Sequence, residues 1–424
     1  MKTPKAMKTK RLIFPVVLAF FILLSALSCR EHQEEGTDDL KNLPEKSAQL
    51  IDADNQFGLE LFQKITAEAG VNDNTMISPL SISLALSMTY NGAAGQTKSD
   101  MEKTMKLYGL TTEQINKAHK ALVEALKSAD PEVTLKIANA IYYNHLLKVR
   151  EEFVTVNQHY YDAEVTSLNF SSVDVLGIIN GWVSEKTEGK IPTILEQIDA
   201  DLVMVLLNAI YFNGKWKSKF GDKDTHSLPF RFGDGSTREV ATMSQETALE
   251  YTSNDLFSAV HLPYGEGQYQ MTILLPNGGK STADVIDELD NEKWNDWMKD
   301  FRMENKVVVK MPRFKFAWEM TLNGILSAMG MASAFTPYVA DFSGISNARD
   351  LYIGFVIHKT YVDVNENGTE AAAVTAVGVY TTSMPVDPPE KIYFTVDRPF
   401  LFAITEKTTG TILFMGEMNA PAYN

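Results

Sequence analysis

The chain has 424 residues, of which 45% are hydrophobic and 22% are charged, so it is neither an intrinsically disordered nor a collagen-like chain. Its formal net charge of −15 argues against nucleic-acid binding, because the phosphate backbone would be repelled. The single cysteine excludes both an intramolecular disulfide and a multi-thiolate zinc cluster.

The first 28 residues are predicted to be an export leader. A basic head at residues 2–11 precedes an uncharged apolar run at residues 12–28, which has the length of a signal-peptide core. Residues 25–29 resemble a bacterial lipobox, in which the cysteine is lipidated and becomes the first mature residue. We therefore expect lipidation of Cys29 and attachment to a bacterial outer membrane, exposed at the surface. The alternatives are a cleaved signal with secretion, or a buried thiol.

An acidic segment follows the cysteine. Residues 30–48 contain few apolar side chains and six acidic ones, which are Glu31, Glu34, Glu35, Asp38, Asp39 and Glu45. This composition is typical of a solvated tether, and we assign residues 29–49 to the lipidated cysteine and a flexible acidic tether. No internal repeat or Gly/Ser linker divides the remainder, so residues 50–424 are predicted to form a single, monomeric domain.

Helical patterns come first along the predicted domain, and strand patterns follow. Apolar residues at helical spacing predict helices over residues 55–62, 78–86 and 117–128, the second beginning at Pro79. Strands are predicted over residues 135–143, 204–212, 271–275, 306–316, 354–364, 393–396, 400–404 and 411–415. Because a βαβ alternation is missing, the order indicates an α+β fold with a large mixed sheet.

Motifs for catalysis or cofactor binding are missing from the sequence. It contains no Gly-x-Ser-x-Gly elbow, no His-Glu-x-x-His and no phosphate-binding loop, and its seven histidines are scattered singly. Residues 363–368 match the opening of a calcium-binding EF-hand loop, but the twelfth position, which needs a bidentate carboxylate, is Val374. We therefore expect no enzymatic activity, no metal and no cofactor.

One segment, residues 368–383, is unusually rich in small side chains and ends in a proline-rich patch. Read at a period of two, one face is small or β-branched and uncharged: Thr369, Ala371, Ala373, Thr375, Val377 and Val379. Such a segment fits a strand with one buried face, whereas the prolines that follow cannot continue a central strand. From periodicity alone, an ordinary buried strand or an alanine-rich helix capped by Thr369 remains equally open.

Five separated motifs, in order, resemble the serpin family over residues 50–421. Residues 366–373 (ENGTEAAA) match the hinge of inhibitory members. The other motifs are residues 74–101, which resemble the second helix and its continuation; residues 179–191, the helix F region; residues 208–216, the central strand of the main sheet; and residues 397–402 with Gly416, the C-terminal signature. The resemblance implies helices packed on a large mixed sheet with further sheets, and an exposed reactive-centre loop at about residues 366–390.

The resemblance also implies a suicide-type inhibitor of serine endopeptidases, with cysteine endopeptidases as a second target class, since some family members trap them. In serpins the protease forms an acyl-enzyme with the loop and cuts it, and is trapped when the loop inserts into the main sheet as an extra strand. The implied hinge residues are Glu366, Gly368, Thr369, Glu370, Ala371, Ala372 and Ala373. The implied shutter residues beneath the sheet are Ser81, Asn208 and His358, and Trp216 falls where the loop first enters.

Spacing from Gly368 places the scissile bond at Thr382–Ser383, with Tyr380 and Thr381 as alternatives, because the stretch from that bond to Arg398 is longer than usual in the family. Tyr380 would suit a chymotrypsin-like pocket, and the threonines an elastase-like or subtilisin-like one. No arginine or lysine lies between residues 369 and 390, which disfavours a trypsin-like target.

Two other functions compete with protease inhibition. A serpin fold used as a binding protein or as a mere protease substrate is one alternative, and an unrelated hydrolase or glycan-binding lipoprotein is the other. Heparin binding is not expected, although some relatives bind heparin near the positions of Lys98, Lys103 and Lys106. These lysines alternate with acidic residues and are predicted to form a solvated face.

Overall fold

The structure is a computed structural model that describes residues 39–199, 202–348, 350–369 and 390–423. Cys29, the predicted leader and the hinge beyond Thr369 lie outside the described residues, as does the predicted scissile bond.

Helices within the described residues are α1 (Ser47–Glu68), α2 (Pro79–Tyr90), α3 (Gly95–Thr104), α4 (Thr112–Ser128), α5 (Glu151–Tyr161), α6 (Val175–Lys186), α7 (Thr282–Asp287), α8 (Asn291–Lys299) and α9 (Asn323–Leu326). The three predicted helices are present. Helix α2 begins at Pro79 because the Ser78 side chain caps it, accepting a hydrogen bond from the Ser81 N–H. Helix α4 begins earlier than predicted, at a reciprocal capping box between Thr111 and Gln114.

The strands are β1 (Thr75–Ile77), β2 (Val133–Asn144), β3 (Glu164–Leu168), β4 (Met204–Lys215), β5 (His226–Arg231), β6 (Thr237–Ser253), β7 (Phe257–Tyr264), β8 (Tyr269–Pro276), β9 (Arg302–Pro312), β10 (Phe314–Thr321), β11 (Ile357–Asn365), β12 (Gly368–Thr369), β13 (Ile392–Thr395), β14 (Phe400–Glu406) and β15 (Ile412–Met418). The run predicted as one strand over residues 306–316 is two strands in different sheets, which separate at Arg313. The α+β fold class is confirmed.

Two sheets make up the body. Nine strands form one sheet in the order β1-β15-β14-β8-β7-β6-β9-β13, with β5 paired to β6. Six strands form the other, a mixed sheet in the order β10-β11-β12-β4-β2-β3, in which β2 and β3 run parallel and the other pairs antiparallel. Helix α6 covers one face of the six-stranded sheet, packing Ile179 and Val183 in a cluster with Tyr142 and Val205. Helix α2 packs against β4 and carries Ser81.

The folded body begins before residue 50, so the predicted tether boundary is too late. Leu40 is only 3% exposed and belongs to the main apolar cluster, and α1 begins at Ser47. The acidic composition hid the apolar spacing of Leu40, Leu43 and Ile51, which all contact this cluster. Among the described residues, no helix has the length and apolar character needed to cross a bilayer.

Candidate functional site

At the centre of the six-stranded sheet, β4 and β11 are connected through β12, a strand of only two residues. In β12, Gly368 pairs with Lys215 of β4 and Asn365 of β11, and Thr369 pairs with Gly214 and Val364. Within the described residues, the ladder connects β4 to β11 through β12 alone. The beginning of the predicted hinge therefore already lies between two strands of the six-stranded sheet, which contains residues 208–216 and is the main sheet expected from the sequence.

Gly368 is required by this close approach. Its φ is +148°, a backbone conformation that residues with a side chain rarely adopt. A Cβ atom added there would lie 2.1 Å from the carbonyl oxygen of Gly214, well inside van der Waals contact. The glycine thus allows the chain to turn into the sheet against the backbone of β4.

An aromatic stack fixes the upper end of the site. The Thr369 hydroxyl is hydrogen-bonded to the Tyr264 hydroxyl at 2.6 Å, and the Tyr264 ring stacks on Trp216 with centroids 4.4 Å apart. Burial raises the pKa of Tyr264 above its ordinary value, so this phenol stays protonated. The Trp216 indole N–H donates to the carbonyl of Asn365 at 2.8 Å, which ties the stack to the end of β11.

Glu366 anchors the turn between β11 and β12. Its side chain is largely buried, accepting a hydrogen bond from the Thr225 hydroxyl at 2.5 Å and lying 3.4 Å from the guanidinium of Arg313. Its carbonyl accepts from the Phe220 N–H at 3.1 Å. These contacts hold Glu366, where the predicted hinge begins, between β11 and β12.

A cleft continues below Thr369 between β4 and β11. A first cavity is lined by Ile210 and Phe212 of β4 and by Val362 of β11, with Thr369 at its end. A second cavity is lined by residues 206–208 of β4 and by Ile357 and His358 of β11, together with Ser81. The two cavities follow the two strands in succession, in the space that a longer central strand would occupy.

Hydrogen-bonded side chains support the lower part of the cleft. The Ser81 hydroxyl on α2 donates to the side-chain oxygen of Asn208 on β4. The Asn208 amide donates to Asn139 of β2 at 2.7 Å, and the Asn139 amide donates to the carbonyl of Tyr161 at 2.7 Å. One polar chain therefore connects α2, β4 and β2 to the end of α5.

His358 is bonded to Ser78 at the N-cap of α2, whereas Asn208 is bonded to Ser81 within the helix. Its Nε2 accepts a hydrogen bond from the Ser78 N–H at 2.9 Å, which requires this nitrogen to be unprotonated. Burial lowers the pKa of His358 to about 3, so the ring is neutral at physiological pH. The structure thus brings the three predicted shutter residues to one helix, but through two separate hydrogen bonds.

Three contributors to the site were missed by sequence reasoning. Tyr264 and Asn139 lie in strands and Arg313 lies between two strands, none of them within a local motif, and Tyr264 is 105 positions from the threonine that it contacts. Of the predicted site residues, Glu370, Ala371, Ala372, Ala373, Tyr380, Thr381, Thr382, Ser383 and Cys29 lie outside the described residues.

The lysines considered for heparin form a less solvated face than predicted. Lys98 is partly buried, donates to the Thr112 hydroxyl at 3.0 Å and lies over the Tyr90 ring. Lys106 pairs with Glu60 at 2.6 Å, while Lys103 is exposed. Two of the three ammonium groups are therefore engaged within the protein.

Comparison with known proteins gives a consistent result. Residues 52–421 match the family model described as serpin, serine protease inhibitor. The chain is 36% identical to leukocyte elastase inhibitor A of Rattus norvegicus and 37% identical to leukocyte elastase inhibitor of Homo sapiens, each over 384 residues that cover 88% of this chain and 100% of the relative. The crystal structure of the thermophilic serpin tengpin in its native state superposes with a TM-score of 0.80 at 32% identity, covering 89% of this chain and 95% of tengpin.

Proposed function

The chain belongs to the serpin family, and from that premise we propose that it is a suicide-type inhibitor of serine endopeptidases. Residues 370–389 are the bait that the protease attacks. Cleavage leaves the protease attached as an acyl-enzyme, and the freed loop then enters the cleft between β4 and β11. The protease is carried along and its catalytic groups are distorted before the ester can be hydrolysed.

The pairing of β12 is the observation that carries this proposal. Gly368 and Thr369 already bond to both neighbouring strands, and the segment that follows them in sequence has a small, uncharged face. If the alternation continues from Thr369, Ala371 and Ala373 face the same side of the sheet as Thr369, which is 3% exposed. Side chains of this size suit the narrow cavity beneath Thr369.

We further propose Thr382–Ser383 as the scissile bond, with Tyr380 and Thr381 as the alternative sites of cleavage. Threonine fits the small pocket of an elastase-like or subtilisin-like enzyme, and the relatives at 36–37% identity are named leukocyte elastase inhibitors. Tyrosine at position 380 would instead direct the inhibitor to chymotrypsin-like enzymes. The lack of arginine and lysine between residues 369 and 390 disfavours trypsin-like targets.

A denaturing gel tests the proposal. Residues 30–424 are mixed with elastase-like, subtilisin-like, chymotrypsin-like and trypsin-like proteases, and the products are boiled in SDS. We expect a covalent band of summed mass with an elastase-like or subtilisin-like enzyme, and a released peptide beginning at Ser383. Cleavage without a complex, and without a gain in heat stability, would contradict inhibition and indicate a non-inhibitory serpin-fold binding protein or a protease substrate.

We also propose that the inhibitor is anchored to a bacterial outer membrane through Cys29. The basic and apolar leader and the position of the cysteine support this location. Leu40 is buried in the body, so only residues 30–38 lie between Cys29 and the folded part at Asp39. The ten Cα–Cα steps from Cys29 to Asp39 reach at most about 35 Å. Metabolic labelling with a radioactive fatty acid should mark the wild-type protein and not Cys29→Ser; equal labelling of both would overturn the assignment.

A further inference from the structure

We propose that a solvent-open cavity between the ends of α1 and β5, the start of α7, the segment before β14, and β15 binds a small oxyanion: phosphate, sulfate or a carboxylate. Its volume is about 420 Å³, within the range of roughly 300–1,000 Å³ that small-ligand pockets occupy. None of the residues that line it lines the two cavities between β4 and β11. The cavity is therefore a site separate from the one that receives the loop.

Backbone hydrogen bonds bring three cationic side chains to this cavity. Arg231 ends β5, and its N–H donates to the carbonyl of Asp397 at 2.8 Å, next to Arg398. The Arg398 guanidinium donates through Nε and Nη2 to the carbonyl of Pro276, at 2.9 and 2.6 Å. Lys280 lies in the turn that follows Pro276, where its N–H donates to the carbonyl of Asn277 at 2.9 Å, and all three cations line the cavity.

Two of the three cations, Arg231 and Lys280, form no salt bridge among the described residues, although Asp284 interacts electrostatically with Lys280. Arg398 pairs with Asp397 at 2.6 Å and is occupied by its bonds to Pro276. The side chains of Arg231 and Lys280 are exposed, and among the described residues neither has a salt bridge or a side-chain hydrogen bond. In a protein with a net charge of −15, two unpaired cations at one cavity are a set of donors suited to an anion.

The acidic groups near the cavity are accounted for. Glu417 is the one carboxyl among its lining residues; it is 7% exposed and accepts a hydrogen bond from the Thr282 hydroxyl at 2.5 Å. Burial raises the pKa of Glu417, which reduces the negative charge that an entering anion meets. Outside the lining, Asp234 is held by Asn72, and Asp284 is held by Ser281 but also interacts with the charge of Lys280, which an entering anion would share. Phe232 and Pro399 add apolar wall surface.

Calorimetric titration with sodium sulfate, sodium phosphate and sodium citrate tests this site, each at constant ionic strength against sodium chloride. We expect saturable binding to the wild-type protein and a rise in Tm of about 1–3 °C beyond that in chloride. The double variant Arg231→Gln/Lys280→Gln should bind at least tenfold more weakly. The order of affinity among the three anions identifies whether the site prefers a phosphate, a sulfate or a carboxylate.

Lys148→Gln/Lys315→Gln is the matched control, because it removes the same charge from exposed lysines outside the cavity. This control should keep wild-type affinity, and Lys280→Gln alone should give an intermediate loss if the double variant folds poorly. Equal affinity in the Arg231/Lys280 variant and the control would overturn the proposal, as would binding no stronger than that of chloride.

Discussion

The two sheets of this serpin differ in how they are completed. In the nine-stranded sheet every residue of β8, β14 and β15 is buried; the β8–β14 ladder is unbroken, and the β14–β15 ladder has one register shift, between Ile404 and Thr405. In the six-stranded sheet the central strands β4 and β11 are joined through Gly368 and Thr369, above a cleft supported by polar side chains. The nine-stranded sheet has an apolar, buried centre, whereas the six-stranded sheet has a cleft between β4 and β11 that could hold a further strand.

Under the proposed mechanism, the kind of support explains why the six-stranded sheet would open and the nine-stranded sheet would not. Apolar packing is lost whenever strands separate, because each buried contact has no substitute. The hydrogen bonds of Ser81, Asn208 and Asn139 hold the strands at specific points and contribute only about 0.5–1.5 kcal/mol each. The contrast would confine the proposed conformational change to the region where polar side chains support the strands.

Thr369→Arg has the largest expected effect on inhibition. It should block the cleft between β4 and β11, which is the feature that distinguishes the six-stranded sheet from the nine-stranded one. Thr369 is 3% exposed and hydrogen-bonded to Tyr264, so a charged side chain there has neither room nor a partner. Insertion of the loop should become slower, so that hydrolysis of the acyl-enzyme outruns it and the yield of covalent complex falls at least tenfold. A rise of about 1.4 kcal/mol in the insertion barrier is enough to produce this loss. The yield is read by densitometry of SDS gels.

Thr237→Arg is the control for this prediction, since Thr237 is exposed at the beginning of β6 in the nine-stranded sheet. It should leave the yield of complex unchanged. Undiminished inhibition by Thr369→Arg would mean that the loop does not enter beside Thr369.

Asn139→Ala and Gly416→Ala compare the supports of the two sheets directly. The first removes the hydrogen-bond acceptor of the Asn208 amide, and the second places a Cβ atom 2.7 Å from the carbonyl oxygen of Thr75. Each should lower the free energy of unfolding by about 1–3 kcal/mol. In thermal melts both should reduce Tm, but only Asn139→Ala should shorten the half-life of inhibitory activity at a temperature below the melt.

Gly177→Ala serves as a reference that adds a methyl group without a clash, because the glycine lies in α6 with no atom within 4 Å of an added Cβ, and the higher helix propensity of alanine should raise Tm slightly. Equal loss of inhibitory half-life in Asn139→Ala and Gly416→Ala would show that both sheets limit the conversion.

His358→Gln gives the smallest expected effect, and a pH dependence reveals it. The pKa of His358 is about 3 in the folded protein, below the value of about 6.5 expected when unfolded, so the unfolded chain takes up a proton that the folded one does not. Stability from this group is complete above about pH 6.5 and is lost as the pH falls toward 3, by about 1 kcal/mol at pH 5.5. Glutamine retains an acceptor for the Ser78 N–H and does not titrate.

Urea midpoints from pH 7.5 to 5.5 measure this difference. The wild-type midpoint should fall more steeply than that of His358→Gln. Parallel profiles would indicate that the ring becomes protonated without leaving its site.

Local sequence signals, such as helix caps and apolar runs, predicted much of this fold. They did not predict contacts between residues that are far apart in the sequence. The Ser78 cap and Pro79 fix the start of α2, and the apolar strands β4, β8 and β14 are recognisable from their own residues. Strand β6 was missed because its burial alternates irregularly and its ends are exposed. The stack of Tyr264 on Trp216 depends on how two strands meet in space, which no spacing in the sequence encodes.

The two residues of β12 also bear on the speed of trapping. Bringing a distant segment between two strands is costly at first, because closing a loop removes chain entropy before any ladder bond compensates for it. Gly368 and Thr369 already occupy that first position, bonded on both sides. Entry of the rest of the loop would therefore be propagation along an existing seed, with the slow nucleation step completed before any protease arrives.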